Sequence, residues 1–597
     1  MSTSDSALSL DVTPLGPERV VSTLHVQSPA ALVAGDGAAT MRCDLGDAEL
    51  VLDFGRERVG YFSLTAETAG ATVVEVRYGE TEEELDADPA RELPWYRFPR
   101  DGFPISPGRT NLRSRGRRAF RFVLLRASRG VTVELSGVMV HHQHAPLKQR
   151  GHFSCSDPLL NRIWDISAYT TELCMQGYYE DGIKRDGLLW IGDARVQFLC
   201  AYHAFGETAL AERSLRMMAA SQREDGALPS CAAIGGGHQH PAVIEYMPDV
   251  AEGVGRWIID NYITDFLSAL REYHDHTGDM RTLRDLWPCA IRAAAYLSRV
   301  PLDPPVEKNI ITDENVRVKD SWWPSAGTFL MQLRAGLRDM AACAEVLGDA
   351  GQHVRCLAQI ADIDGIIHRS YWHGGVFTDR AAAAGPGPAA ADAPEVSWHV
   401  NAFAVLSGAV AADGELLARV AAMPDAAYPI AGFMKFWTLK AMMDAGLARR
   451  AVPDMRDWWG FMLEHGATTC WEKLDLRRPE NVLDNPAVSR CHGWSAGPCF
   501  LFPRYLLGVA PGAPGYSRVS VRPSMPDGVS WMEGTIPTPR GEIFVRWESL
   551  RGGVHGCVVL PPGVEGEAFL PGAAAADARG AVLHPGANLL KTEGSGS

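Results

Sequence analysis

Residues 155–167 read "CSDPLLNRIWDIS", and the texture of the chain changes across them. Asp157 is placed to cap a helix, Pro158 suits the first turn because it has no N–H to leave unsatisfied, and Leu160, Ile163, Trp164 and Ser167 follow at helical spacing. Upstream, from about residue 41 to 141, apolar and polar residues alternate with period two, as in "AELVLDFGRERVGYFSLTAETAGATVVEVRYGE" and "RAFRFVLLRASRGVTVELSGVMVHH". That pattern predicts a β-sandwich over 39–146. The Pro-, Asp- and Arg-rich stretch between the two runs reads as a long excursion between strands, and residues 1–38 as a loosely ordered arm.

Downstream of Asp157, roughly a dozen amphipathic segments run to about residue 508. They include 193–205, 208–221, 257–277, 280–299, 328–347, 350–371, 398–411, 431–446 and 494–506. Six helical hairpins closed in a ring, an (α/α)6 barrel over 150–508, accommodate that number. After "GVAPGAPGYSRVSVRP" alternation returns, with "EIFVRWESL" and "GCVVLPPGVEGEAFLPG" as strands of a C-terminal β-sandwich over 512–592. The expected fold is therefore multidomain, a helical barrel flanked by two sandwiches.

The 597 residues are 46% hydrophobic, ample for several cores, and carry a net charge of −15 from 57 Lys+Arg and 72 Asp+Glu. That excess of acid argues against nucleic acid or an anionic membrane surface as partner and favours a neutral substrate. The twelve cysteines are scattered singly, without a disulfide framework or a zinc spacing. The N-terminus lacks a basic region leading into an apolar run, and no stretch approaches the length of a membrane span. A cytoplasmic protein is the expectation. The residues do not set the oligomeric state, and a homodimer is carried as one option.

The chemistry concentrates in "YYEDGIKRDGLLWIGDAR", residues 178–195. Asp193 alone has a plain explanation as a helix N-terminal acid, and Asp181, Lys184, Arg185 and Asp186 alone would suit a solvated turn. Trp190 shifts the balance. An indole among acids and bases, with Gly182, Gly187 and Gly192 permitting tight turns, is what a sugar site needs: carboxylates for hydroxyls and proton transfer, an aromatic face for the C–H side of the ring. A second acid, Glu472, stands in "TTCWEKLD", followed by His492 and Trp494 in "SRCHGWSAGP". Glycoside hydrolysis needs two carboxyl groups facing the anomeric carbon, and Asp186 and Glu472 are the candidate pair.

"DGIKRDGLLWIGDA" resembles the signature loop of the bacterial α-L-rhamnosidases, glycoside hydrolase family 78; "TTCWEK" resembles their Trp-Glu segment and "CHGWSAGP" the turn that follows. The likeness extends over most of residues 41–550. It implies an inverting hydrolase that removes terminal α-L-rhamnose, with Asp186 as general acid and Glu472 as general base. Asp181, Arg185, Trp190, Asp193 and His492 would line the rhamnose pocket, with Trp494 close by. The acid position more often carries Glu and the next one Arg; here they are Asp186 and Gly187. The shorter carboxyl must sit closer to the glycosidic oxygen, and a fixed donor is lost from the rim.

The alternatives are a glycosidase for another sugar or a polysaccharide lyase on the same barrel, and a rhamnoside-binding protein without turnover. The long loop "DPPVEKNIITDENVRVKDSWWPSAG" offers Trp323 as a pocket wall. Asp260, Asn261, His399 and Asn401 could reach a sugar, with core hydrogen bonding at least as good an account. His238, His240 and the "HHQH" run at 141–144 lack carboxylate or Cys partners at a ligand spacing, so neither a metal nor a cofactor is expected.

Overall fold

A computed structural model of the protein describes residues 10–86, 98–184, 186–232, 255–302, 325–381, 396–412, 414–550, 553–570 and 580–592. Among these the chain forms a sheet-rich N-terminal region, a helical middle and sheet-rich C-terminal strands. Arg185, Trp323, His238 and His240 lie outside the described residues.

The N-terminal region is built on one 21-residue strand, Ala48–Thr68, whose alternate side chains Leu50, Leu52, Phe62 and Leu64 are buried against Phe120, Val123 and Leu135. It pairs with Arg118–Ala127 on one side and Val133–His144 on the other. The register with Arg118–Ala127 breaks between Asp53 and Arg58, where Gly55 turns at φ +79°. Such a bulge re-aims the side chains that follow, here Glu57 and Arg58. The stretch expected to be a loosely ordered arm adds strands instead: Asp11–Leu15 pairs with Val133–His144, and Arg19–Leu24 with Ala48–Thr68. Backbone pairing with strand edges holds it there, which the burial pattern of its own polar residues did not signal.

His152–Cys155 pairs with Trp531–Thr538 in the C-terminal sheet before the chain enters the helices. Asp157 then caps the helix Pro158–Cys174, its Oδ1 accepting from Leu159 N at 2.9 Å. Leu160, Ile163, Trp164 and Ser167 are all buried, as their spacing requires. The long helix Ala326–Leu347 packs against Asp260–Thr277, Ala350–Ser370 and Trp398–Ser407. Residues 494–506, expected as one helix, are broken into a 3₁₀ turn Gly493–Ser495, the short α-helix Pro498–Leu501 and a π turn over Phe502–Leu506. Pro503 has no N–H to continue the α-helical ladder, and the next bond closes wide, from Leu507 N to Phe502 O at 2.9 Å.

All twelve cysteines are free, and all but Cys557 are buried. No described helix is long and apolar enough to cross a membrane.

Candidate active site

The loop after Pro158–Cys174 is closed by its own acid. Asp181 N donates to Leu188 O at 3.0 Å, and Asp181 Oδ1 accepts from Leu188 N at 3.0 Å. Gly187, at φ +59°, makes the turn between them, and Asp186 beside it is half-buried. The second segment is sewn to the first through backbone: Gly182 bridges His492, and Gly493 N donates to Asp181 O at 2.7 Å.

Glu472 is buried on that second segment. Its N–H donates to Ser489 O at 2.9 Å, and its Oε2 accepts from Ser489 N at 3.0 Å. Its backbone carbonyl takes Gly432 N at 3.1 Å and the Trp494 indole N–H at 2.8 Å. Trp494 in turn packs at a tilt against His492, with ring centroids 4.2 Å apart. His492 lies between two acids, Nε2 at 3.6 Å from Asp181 Oδ2 and Nδ1 at 4.0 Å from Asp193 Oδ1.

Asp193 is not the helix cap. The helix Ile191–Ala204 is opened by Trp190, and Asp193 sits inside its first turn with Oδ2 accepting from the Tyr262 hydroxyl at 3.0 Å. Gly192 is likewise no turn residue. A Cβ there would lie 2.3 Å from the Tyr262 ring, so glycine is what lets Tyr262 reach Asp193. Burial holds the Asp193 carboxyl well above the usual carboxylate range; the Tyr262 hydrogen bond opposes this, while the charges of Asp186 and Glu472 add to it. Three acids drawn from two distant segments thus lie within reach of one another's charges, Asp193 and Glu472 buried and Asp186 half-buried. Trp190 closes one side, 6.0 Å from Trp257 and 6.5 Å from Tyr262 between ring centroids.

The structure therefore brings Asp181, Asp186, Trp190, Asp193, Glu472, His492 and Trp494 together. Of the weaker candidates, Asn401 is spent in the core, bonding Phe377 N, Phe377 O and Ser397 O. Asp260 is buried, its carboxyl pushed up to about 6 by desolvation against the hydrogen bond of Tyr296.

Two parts of the site have no local sequence signal. Tyr262 stands two residues after Asp260 in a helix, and its partner lies on another helix. The other is an anchor from the N-terminal sheet: Glu80 Oε2 is 2.7 Å from Lys184 Nζ and accepts from Arg490 N at 2.6 Å, and its Oε1 accepts from Ser489 Oγ at 3.4 Å. Glu84 joins Lys184 at 3.0 Å. One carboxylate thus holds the loop of Asp186, through Lys184, and the segment opposite Glu472, through residues 489 and 490.

Residues 148–300 match the family model for the bacterial α-L-rhamnosidase six-hairpin glycosidase domain, and residues 508–581 match that for the bacterial α-L-rhamnosidase C-terminal domain. An α-L-rhamnosidase of Streptomyces avermitilis is 27% identical over 137 residues, 23% of this chain and 13% of that protein. The crystal structure of a family 78 rhamnosidase from Bacillus sp. GL1 superposes with a TM-score of 0.72 at 25% identity, over 88% of this chain and 53% of that one. The rhamnosidase of Klebsiella oxytoca, solved with rhamnose bound, has the same fold, with a TM-score of 0.68 at 21% identity over 83% of this chain and 96% of that one. The chain thus spans about half of the Bacillus structure and a smaller part of the Streptomyces relative. By these matches the chain, with a six-hairpin glycosidase domain between sheet-rich flanks, resembles the bacterial α-L-rhamnosidases of glycoside hydrolase family 78.

Proposed function

We propose that the protein is an inverting α-L-rhamnosidase that removes terminal rhamnose from a rhamnose-containing glycoside or oligosaccharide. The observation that carries this reading is that Asp186 and Glu472, from two distant segments, both lie close enough for their charges to act on the buried Asp193, with His492 between Asp193 and Asp181. Asp186 gives its proton to the glycosidic oxygen as the bond to C1 breaks. Glu472, fixed by Ser489 N, takes a proton from a water that attacks C1 from the opposite face. The two carboxyls would be separated by the room a water needs, about 6.5–9.5 Å in inverting enzymes. Trp190 presents an aromatic face to the ring, and Asp181, Asp193 and His492 take its hydroxyls. Arg185, Trp323 and Trp494 belong to the same proposed pocket.

The proposed architecture is an (α/α)6 barrel over 150–508 between sandwiches over 39–146 and 512–592. We read the compartment as cytoplasmic, in keeping with twelve unpaired thiols, and a homodimer as the assembly to test first.

A second reading of the acid is favoured by one observation: burial raises the Asp193 carboxyl well above the usual carboxylate range. Asp186→Asn separates the two. If Asp186 is the acid, the variant loses far more activity on rhamnosides with poor leaving groups than on nitrophenyl rhamnoside, whose phenolate leaves with little protonation. Equal losses on both substrates would leave Asp186 a sugar-binding residue and transfer the role to another carboxyl, Asp193 or Asp181. Absence of turnover by the wild-type protein on any aryl α-L-rhamnoside would remove the hydrolase reading itself.

A further inference from the structure

Tyr262 is not among the residues proposed to touch the sugar, yet its hydroxyl reaches Asp193 Oδ2 at 3.0 Å from a different helix, Asp260–Thr277. Both side chains are buried, Tyr262 at 2% and Asp193 at 3% exposure. The fit around the phenol is close. A Cβ at residue 192 would lie 2.3–2.6 Å from three carbons of the ring, and the Phe433 and Trp190 rings pack against it with centroids 6.0 and 6.5 Å away. Glycine weakens a helix relative to alanine, and at residue 192 that loss secures the approach of the phenol to the carboxyl.

The two helices do not depend on this bond for their register. Arg195, two residues after Asp193, gives Nη1 to Asp265 Oδ1 at 2.7 Å and Nη2 to Glu272 Oε1 at 2.7 Å, both on the helix of Tyr262. Its guanidinium also lies over the Trp437 ring, 4.3 Å from the centroid. With that charged clamp in place, the Tyr262 hydroxyl is left to act on the carboxyl rather than on the packing of the helices.

The chemistry of the pair has a direction. Burial and the charge of Asp193 push the Tyr262 hydroxyl well up, so it keeps its proton and donates to the carboxyl. Burial holds the Asp193 carboxyl well up, and the Tyr262 bond and a backbone N–H work against that rise while the charges of Asp186 and Glu472 add to it. The other groups facing the pair are His492, with Nδ1 4.0 Å from Asp193 Oδ1, Asp181 on the far side of that imidazole, and Asp265 on the tyrosine's own helix. The two oxygens of Asp193 thus have different neighbours, a phenol at Oδ2 and the histidine nearest Oδ1.

We infer that Tyr262 is a positioning residue for the proposed reaction: its hydroxyl pins Asp193 Oδ2 and so keeps Oδ1 turned towards His492. The inference rests on the reading of Asp193 as a residue of the rhamnose pocket. Without the hydroxyl the carboxyl is free to rotate and loses a donor that favours its ionised form, so it holds its proton to higher pH.

The test is Tyr262→Phe, which keeps the ring and removes only the oxygen, read in two ways on the full chain. The first is the titration of the Asp193 carboxyl by carbon NMR of protein labelled at the aspartate side-chain carboxyl, with its signal assigned by its disappearance in Asp193→Asn. The second is the pH profile of kcat/KM on nitrophenyl rhamnoside. We expect the Asp193 titration to move to higher pH, the matching limb of the profile to move with it, and kcat/KM at neutral pH to fall roughly 10–100-fold, the scale of misplacing a group in the site. Gly192→Ala, which displaces the ring, should move the titration the same way, and Gly192→Ala with Tyr262→Phe should move it no further than Tyr262→Phe alone. An Asp193 titration unmoved in Tyr262→Phe would overturn the inference, and so would a moved titration beside an unmoved pH profile, since Asp193 would then stand outside the reaction. A fall in activity with both readouts unmoved would likewise overturn it and leave Tyr262 a packing residue. Absence of wild-type turnover would strike the hydrolase reading instead; the titration and the affinity for L-rhamnose by calorimetry, expected to weaken in Tyr262→Phe, would then decide whether Tyr262 positions Asp193 for the sugar.

Discussion

The protein buries acids in two neighbouring places and treats them differently. Around Glu80 the partners are supplied: Lys184, Ser489 and Arg490 N reach Glu80, and Lys184 also reaches Glu84. Around Asp193 the compensation is thinner, a tyrosine hydroxyl, a backbone N–H and a histidine at 4.0 Å, with two further carboxyls adding repulsion. A well-partnered carboxylate such as Glu80 serves to hold segments together, whereas burial with thinner compensation pushes the Asp193 carboxyl up and suits it to proton transfer. The two are linked, because the first cluster anchors the loops that carry the second.

The largest break in this contrast should come from Glu472→Gln, which keeps the size and the Ser489 contact of the proposed base but removes its charge. We expect kcat to fall by about 10²–10⁴ with melting unchanged, the scale of losing general base catalysis. Steady-state kinetics with parallel calorimetry checks it, and near-normal turnover would remove Glu472 from the mechanism.

Glu80→Gln should cut the other way, acting mainly on stability. It leaves Lys184 buried beside one acid fewer, and breaking such a pair costs about 3–5 kcal/mol. Denaturant unfolding measures that loss. Activity of the folded fraction should fall through kcat rather than KM, since the variant loosens the Glu472 segment without touching substrate. The double variant Glu80→Gln with Lys184→Met should recover most of the stability; a double variant no more stable than the single one would mean that the ion pair is not what Glu80 provides.

The smallest effect is a pH dependence. Burial raises the Glu84 carboxyl from 4.5 to about 7, against the pull of Lys184. The folded state then binds a proton that the unfolded state has released, so this contribution is full below pH 4.5 and is lost as pH rises towards 7. Glu84→Gln should flatten that part of the stability profile, and an unchanged slope between the two values would count against the assignment.

How much of this was legible in the sequence depended on distance along the chain. The helix at Asp157 and Pro158, the alternating strands and the acid-rich loop around Trp190 are local patterns, and the structure contains them. Asp193 was legible as important but not for its environment: its partner Tyr262 is set by packing between two helices, and Gly192 reads as a turn residue until that packing is seen. Glu80 carried no signal, because its partners come from the helical domain. The expected helix over 494–506 is interrupted between Ser495 and Pro498 and widens into a π turn around Pro503, where one N–H is missing. The strands Asp11–Leu15 and Arg19–Leu24 leave no mark in the side-chain pattern because edge strands are held by backbone pairing.

The central claim is that two carboxyls on opposite faces of the sugar hydrolyse a rhamnoside through a directly attacking water. Proton NMR of the first product released from nitrophenyl α-L-rhamnoside, read before mutarotation, tests it most directly. The account predicts β-L-rhamnose; initial α-L-rhamnose would contradict it and make Glu472 a nucleophile in a retaining mechanism.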